Sequence, residues 1–363
     1  MADYFLFQGI IVLINVLLQL VSGFIGDKVA RKHILVVSYA LFLGRIFCWL
    51  CWKGPFIVFV GEILYAVSKA LFDTVESPLL YDILTAEKKQ HKMVSAYSKL
   101  NFAISLGTAI AALTGAWMYE QVGVQILLGC EFVFITTAIL MAIKLPLMAV
   151  EKVNQPHRMP ISEMIHNSII VLKNPNEGIY IIYSGLLVAC SHFFFWSFQP
   201  LMKLALVPTA LFGIVLFTNN MMRSFGSLLT HRLLKYLCLE KLGVIVLAGN
   251  VIGLLGGFVL QKWILEYWGI CLIFIFYLCL CIVLQLMFTI AQISRLQRVV
   301  APHIRAQASA TNMLVARFCT AILLIIPKYL TDWFSLPTLY LIYGLGVLIL
   351  GYDLGNKLRK RPI

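Results

Sequence analysis

Between residues 56 and 84 an otherwise apolar run carries Glu62, Lys69, Asp73, Glu76 and Asp82. An ionisable group inside a membrane span costs about 2.5–3.5 kcal/mol on insertion scales, so it marks either function or mutual neutralisation. At about 100° per residue, Lys69, Asp73 and Glu76 fall within about 20–40° of Glu62 on one helical stripe. Lys69 and Asp73 stand one turn apart, the spacing of a helical ion pair. Such a stripe must face a bundle interior or a water-filled cavity, where Asp73 or Glu76 can carry a proton or cation whose release Lys69 and a solute modulate. The competing reading is a structural network in which the two acids compensate Lys69. Asp82 points about 200° from this stripe, toward a different neighbour. Pro78 removes a backbone donor and is expected to kink the helix.

Other runs hold single charges: Arg45, Glu131, Arg223 and Arg317. Arg223 and Arg317 lie near the middle of their runs and are candidates to meet an anionic group of a solute; bonding backbone carbonyls of neighbouring helices is the alternative. Arg45 has Glu62 or Glu131 as a partner. The segment His192-Phe-Phe-Phe-Trp196-Ser-Phe198-Gln199-Pro200 ends a further run. Trp196 and Gln199 are pocket candidates there, set against the ordinary aromatic belt of a membrane interface. His192 reads as a helix-packing histidine. Cys48-x-x-Cys51 has no second ligand pair nearby, and no glycine-rich phosphate loop is present, so no metal, cofactor or nucleotide is expected.

These residues sit in a chain of 363 residues that is 61% hydrophobic and 12% charged, with mean hydropathy +0.90. Soluble domains carry about a quarter charged residues, so the apolar surface must face lipid. Most of the nine cysteines lie inside apolar runs, where cysteine acts as a small hydrophobe. The net charge of +13 is spread as short basic patches between runs rather than gathered in one domain, which argues for a membrane partner and against nucleic acid. A span needs about 20 apolar residues. Eleven candidates follow: 4–25, 34–51, 56–84, 95–118, 124–144, 178–198, 208–230, 242–261, 269–293, 306–327 and 335–353. Of the 29 Lys and Arg, 21 fall on one side of this arrangement, 4 on the other and 4 within spans. The positive-inside rule then puts the C-terminus in the cytoplasm and the N-terminus outside.

The longest polar segment separates five spans from six. It defines an N-terminal bundle over 1–144, a cytoplasmic connector over 145–177 with an amphipathic helix near 161–173, and a C-terminal bundle over 178–363. The halves read as repeats. Ser95-Ala96 and Ser309-Ala310 each open a span behind a basic residue, and Gly226-Ser-Leu-Leu-Thr230-His231-Arg232 stands where a decayed copy of the first basic turn belongs.

That first turn, Gly23-Phe-Ile-Gly26-Asp27-Lys28-Val-Ala30-Arg31-Lys32-His33, resembles the signature loop of major facilitator superfamily transporters. Leu79-Leu80-Tyr81-Asp82-Ile83-Leu84 resembles the end of the fourth helix in a bacterial branch of that superfamily. Ile304-Arg305-Ala306-Gln307-Ala308-Ser309 resembles the start of its eleventh, and Trp196–Pro200 the end of its seventh. The resemblance implies an all-α polytopic fold of two bundles with 11 helices here, arranged 5+6, because the signature loop normally follows a second helix and here follows the first. It also implies a latch of Asp27, Arg31 and Asp82, in which the Arg fork bridges carboxylates and Asp27 caps the tenth span. Ala30 replaces a usual glycine, and Phe72-Asp73 replaces a small Ser-Gly step.

The function expected is a secondary transporter of the plasma (bacterial inner) membrane, working by alternating access on a small-molecule substrate. Proton-coupled export of amphipathic organic compounds stands first, with Lys69, Asp73, Glu76 and Glu62 as the coupling group. Import of a small anionic nutrient through Arg223 and Arg317, a transport-defective remnant lacking a helix, and a polytopic membrane transferase are the other readings.

Overall fold

The structure is a computed structural model that describes residues 2–51, 54–145, 161–173, 177–208, 210–300, 305–330 and 336–359. The described residues are helical apart from turns. Their long elements are α1 (Ala2–Lys28), α2 (Arg31–Leu50), α3 (Pro55–Ala86), α4 (Met93–Lys144), α5 (Ile161–Lys173), α6 (Gly178–Leu204), α7 (Ala210–Leu233), α8 (Leu239–Val259), a short α9 (Gln261–Glu266), α10 (Trp268–Val299), α11 (Arg305–Leu330) and α12 (Leu336–Arg359). Each expected run overlaps one of these helices, with 95–118 and 124–144 sharing α4 and 242–261 reaching past α8 into α9. Pro55 opens α3 at its first position, where a missing donor costs nothing. Pro78 lies inside α3, and the helix continues through it to Ala86.

α4 is two arms joined at Gly123, whose φ of 81° and ψ of 169° only glycine adopts readily. A straight helix would separate Gly115 from Leu127 by about 18 Å. A Cβ at Gly115 would instead lie 3.8 Å from Leu127 Cδ1, so the arms fold back on each other.

Seven segments among the described residues are long and apolar enough to cross a membrane: Arg31–Leu50, Gln121–Lys144, Gly178–Leu204, Leu239–Val259, Trp268–Val299, Gln307–Ile326 and Thr338–Gly355. Gly9–Gln19 of α1 is a further, shorter apolar stretch, α3 and α7 are long but more polar, and the polar residues of all three helices are turned inward. Asn15, Gln19 and Ser22 on α1 are buried, as are Asp73, Thr74, Ser77 and Asp82 on α3 and Asn219, Asn220, Ser224, Ser227 and Thr230 on α7. Hydrocarbon tolerates such groups only when another helix covers them.

The cover comes from the way two groups of helices meet. α1 to α4 pack among themselves, and α6 to α12 do the same, around a core of Phe193, Phe194, Phe198, Tyr183, Phe288 and Tyr340. Between the groups, α1 runs along α11 and α4 along α7, and α3 crosses α11 and α10. Exchanging the halves turns one of the first two contacts into the other: α1 and α7 carry the two glycine-containing motifs near their C-terminal ends, and the first arm of α4 and α11 carry the two Ser-Ala steps near their starts. The repeat expected from those motifs is therefore a property of the packing.

Candidate functional site

The α1–α2, α3–α4, α7–α8 and α10–α11 turns lie at one end of the molecule, the basic end, with Arg31, Lys32, Lys88, Lys89, Lys92, Arg232, Lys235 and Arg298 in or beside them. At this end Arg31 Nη1 donates to Asp82 Oδ2, joining the start of α2 to the end of α3. Both side chains are largely buried, so the pair is shielded from solvent. The Asp27 side chain lies outside the described residues, so the third member of the expected latch has no description here. Next to this pair, Tyr81, Leu84, Met93 and Tyr97 of α3 and α4 pack on Leu286, Ile290 and Ile293 of α10. Gln297 Nε2 of α10 donates to Ser309 Oγ of α11 at 2.6 Å and to Ser77 Oγ of α3 at 3.2 Å. The basic end is thus closed by an apolar plug and a polar knot that both join the two groups of helices.

The second group holds a mirror of the Arg31–Asp82 pair with its charges exchanged. Arg295, four residues before the end of α10, sits 3.8 Å from Glu240 in the first turn of α8. Asp82 likewise stands four residues before the end of α3, and Arg31 opens α2. Arg295 also reaches Glu177 at 3.2 Å and lies 4.1 Å from the Tyr180 ring centroid, while the Tyr180 hydroxyl donates to Glu240. In the sequence Arg295 is one of the 21 basic residues on the cytoplasmic side of the expected arrangement. Its helix-end position relative to Asp82 was the signal available.

Halfway along α3 the acidic stripe meets α11. Asp73 accepts from Lys69 Nζ at 2.6 Å through one carboxylate oxygen and from Arg317 Nη2 at 3.0 Å through the other. The Asp73 side chain is 6% exposed against 35% for Lys69 and 18% for Arg317, so the acid is buried while its cations reach toward open volume. Lys69 and Arg317 have opposite origins, one turn of the same helix and the facing helix of the other group. Glu76, one turn below Asp73 and half-buried, has neither an ion pair nor a hydrogen bond among its described contacts. Tyr39 of α2 senses the charges of Glu76 and Lys69, and Tyr97 of α4 those of Glu76 and Asp73. α6 contributes His192, whose Nδ1 bonds the Val188 carbonyl at 3.0 Å and which senses Arg317, Arg223 and Lys69 together. Arg223 of α7 has its Nε buried without a hydrogen-bond partner and no ion pair among its described contacts.

The structure therefore gathers Lys69, Asp73, Glu76 and Arg317 in one region between the two groups, and His192, beside Arg317 and Lys69, links Arg223 to it. The sequence alone divides Lys69, Asp73, Glu76, Arg223 and Arg317 between coupling and substrate roles and leaves His192 to packing. Glu62 shares the stripe yet belongs elsewhere. Arg45 bonds it at 3.2 Å and is itself stacked 4.5 Å from Tyr65 and 4.7 Å from Trp49, at the end of α2 opposite the basic turns. Trp196 packs edge-on against Phe195, 5.4 Å between centroids, one turn beyond His192. Gln199 is exposed a turn further along and is not brought to the cations.

Two helix groups related by an internal repeat, polar cross-contacts and charges held midway between them define a membrane transporter rather than an enzyme. The Major Facilitator Superfamily profile matches residues 6–294, and the chain belongs to that superfamily. Among solved structures it is similar to a bacterial homologue of the iron transporter ferroportin in an outward-facing state, at 17% identity and TM-score 0.70, covering 99% of this chain and 90% of that one. It is also similar to a mutant of the nucleoside transporter NupG, at 14% identity and TM-score 0.66, covering 98% and 90%. The human organic anion transporter MFSD10 aligns at 12% identity and TM-score 0.62, covering 97% and 84%. At these identities the likeness is one of fold. No curated protein matches the sequence significantly.

Proposed function

We propose that the chain is a proton-coupled secondary transporter of a small anionic solute. Arg223 carries this reading: a buried, unpartnered guanidinium nitrogen in a shared electrostatic region with Arg317 and Lys69. Desolvating such a group without a partner is costly, and a solute carboxylate or phosphate repays the cost with charge-assisted hydrogen bonds. Asp73 answers Lys69 and Arg317, and no carboxylate pairs with Arg223 among the described contacts, which leaves its positive charge to be met by one anionic group of a solute. Glu76 is the carboxyl proposed to carry the proton, because Asp73 is already held by two cations and Glu76 by none.

Alternating access would open and reseal the plug of Tyr81, Tyr97 and Ile290 at the basic end, taken as cytoplasmic from its Lys and Arg excess, with Asp27, Arg31 and Asp82 as the latch. The membrane is a plasma (bacterial inner) membrane in this proposal. Export of an amphipathic compound is the second reading, favoured by the Phe195–Trp196 pair one turn from His192. A solute with both an acid and a ring satisfies both.

The test is uptake of labelled sulfate, phosphate, succinate and citrate into proteoliposomes under an imposed pH gradient. Glu76→Gln is expected to abolish gradient-driven accumulation while keeping anion exchange, and Arg223→Gln to abolish both. Accumulation of none of the four by the unmodified protein would overturn the anionic reading, and an unchanged gradient response in Glu76→Gln would remove that carboxyl from coupling.

A further inference from the structure

We infer that Asp73 is a tethered stand-in for the solute's anionic group, and that an incoming anion displaces it from Arg317 and so unties α3 from α11. The inference rests on the anionic-solute reading and adds the way binding is converted into movement.

Three observations converge on it. The Asp73–Arg317 bond joins helices of different groups, so whatever breaks it loosens their contact. Only one Arg317 nitrogen, Nη2, is engaged by Asp73 at 3.0 Å among the described contacts, although a guanidinium presents a planar fork of five N–H donors. A carboxylate or phosphate approaching from the open side can take that fork with two parallel bonds, which a single side-on acid does not match. Finally, Asp73 has a second cation on its own helix: Lys69 Nζ holds its other oxygen at 2.6 Å. Removing a partner from a buried charge is normally prohibitive because the charge is left uncompensated. Here displacement leaves Asp73 paired with Lys69, so the exchange is a swap of partners and no charge is stranded. Ser77 lies one turn below on α3 and touches Ser309 of α11, with 3.4 Å between their oxygens, so separation at Asp73–Arg317 bears directly on the polar knot.

The same four anions serve as probes, with binding to purified protein measured by equilibrium titration and movement by the alkylation rate of a single cysteine placed by Ser309→Cys in a background freed of native cysteines. In the otherwise unmodified protein, the bound anion is expected to accelerate labelling at this position. Asp73→Asn removes the competitor and is expected to tighten anion binding by about tenfold, the effect of one charged hydrogen bond. Its Ser309→Cys derivative should label quickly whether or not anion is present. Asp73→Glu keeps the charge and should keep anion-dependent labelling.

If none of the anions binds the unmodified protein, the anionic reading itself fails. If they bind and Arg223→Gln abolishes binding, yet Asp73→Asn leaves affinity unchanged or weaker, the stand-in role is overturned while that reading survives. Should Asp73→Asn yield no folded protein, anion-independent labelling in the Ser309→Cys protein alone overturns the inference, and anion-accelerated labelling upholds it.

Discussion

Arg45 and Arg317 are both lone arginines in apolar runs, and the structure gives them different lives. Arg45 is satisfied where it stands, bonded to Glu62 and enclosed by Tyr65 and Trp49. Arg317 shares its partner with Lys69 and remains partly exposed between the helix groups. Glu62→Gln is therefore expected to lower thermal stability in detergent while leaving the pH-gradient dependence of transport intact. The cost should be about 1–3 kcal/mol, the loss of a charged hydrogen bond at a part-buried site. A coupling role for Glu62 would appear instead as a lost gradient response at unchanged stability. The stripe of Lys69, Asp73 and Glu76 was legible from helical periodicity, because α3 is a continuous helix through Pro78. That Glu62 leaves the stripe's chemistry was not legible: the residue that claims it lies on another helix.

At the scale of elements, the repeat appears as two ion pairs at helix ends with the signs reversed. Arg31 at the start of α2 meets Asp82 near the end of α3, and Glu240 at the start of α8 meets Arg295 near the end of α10. Each pair holds one helix group together at the basic end, and Arg295 adds Glu177, the residue that leads into α6. Because the two pairs share no residues and lie in different groups, their losses should add. Arg31→Gln and Arg295→Gln are each expected to destabilise, and the double variant to equal the sum within about 0.5 kcal/mol. Chemical denaturation of the reconstituted or detergent-held protein measures this, and a coupling well above that figure would show that the two pairs act as one device. The motif beginning at Gly23 pointed to the first pair. No sequence motif pointed to the second, because inverted charges hide the correspondence.

The whole molecule is shaped by which helices face each other across the midline. Ser77 and Ser309 are far apart in sequence and are bridged by Gln297, so closure of the basic end depends on α3, α10 and α11 meeting. Cysteines introduced by Ser77→Cys and Ser309→Cys in a cysteine-free background should cross-link readily, their oxygens being 3.4 Å apart in the native protein. The cross-link is expected to stop transport, and reductant to restore it. Transport unaffected by quantitative cross-linking would mean that this seam does not open. The sequence alone determined the membrane class, the helical runs and the family, because lipid demands long apolar helices and the basic turns between them keep their composition wherever the helices pack. It also placed Lys69, Asp73 and Glu76 on one face. Only the tertiary structure decided their partners, since an ion pair between α3 and α11 is fixed by the crossing of two helices 244 residues apart at Asp73 and Arg317. Periodicity along one helix carries no information about that crossing.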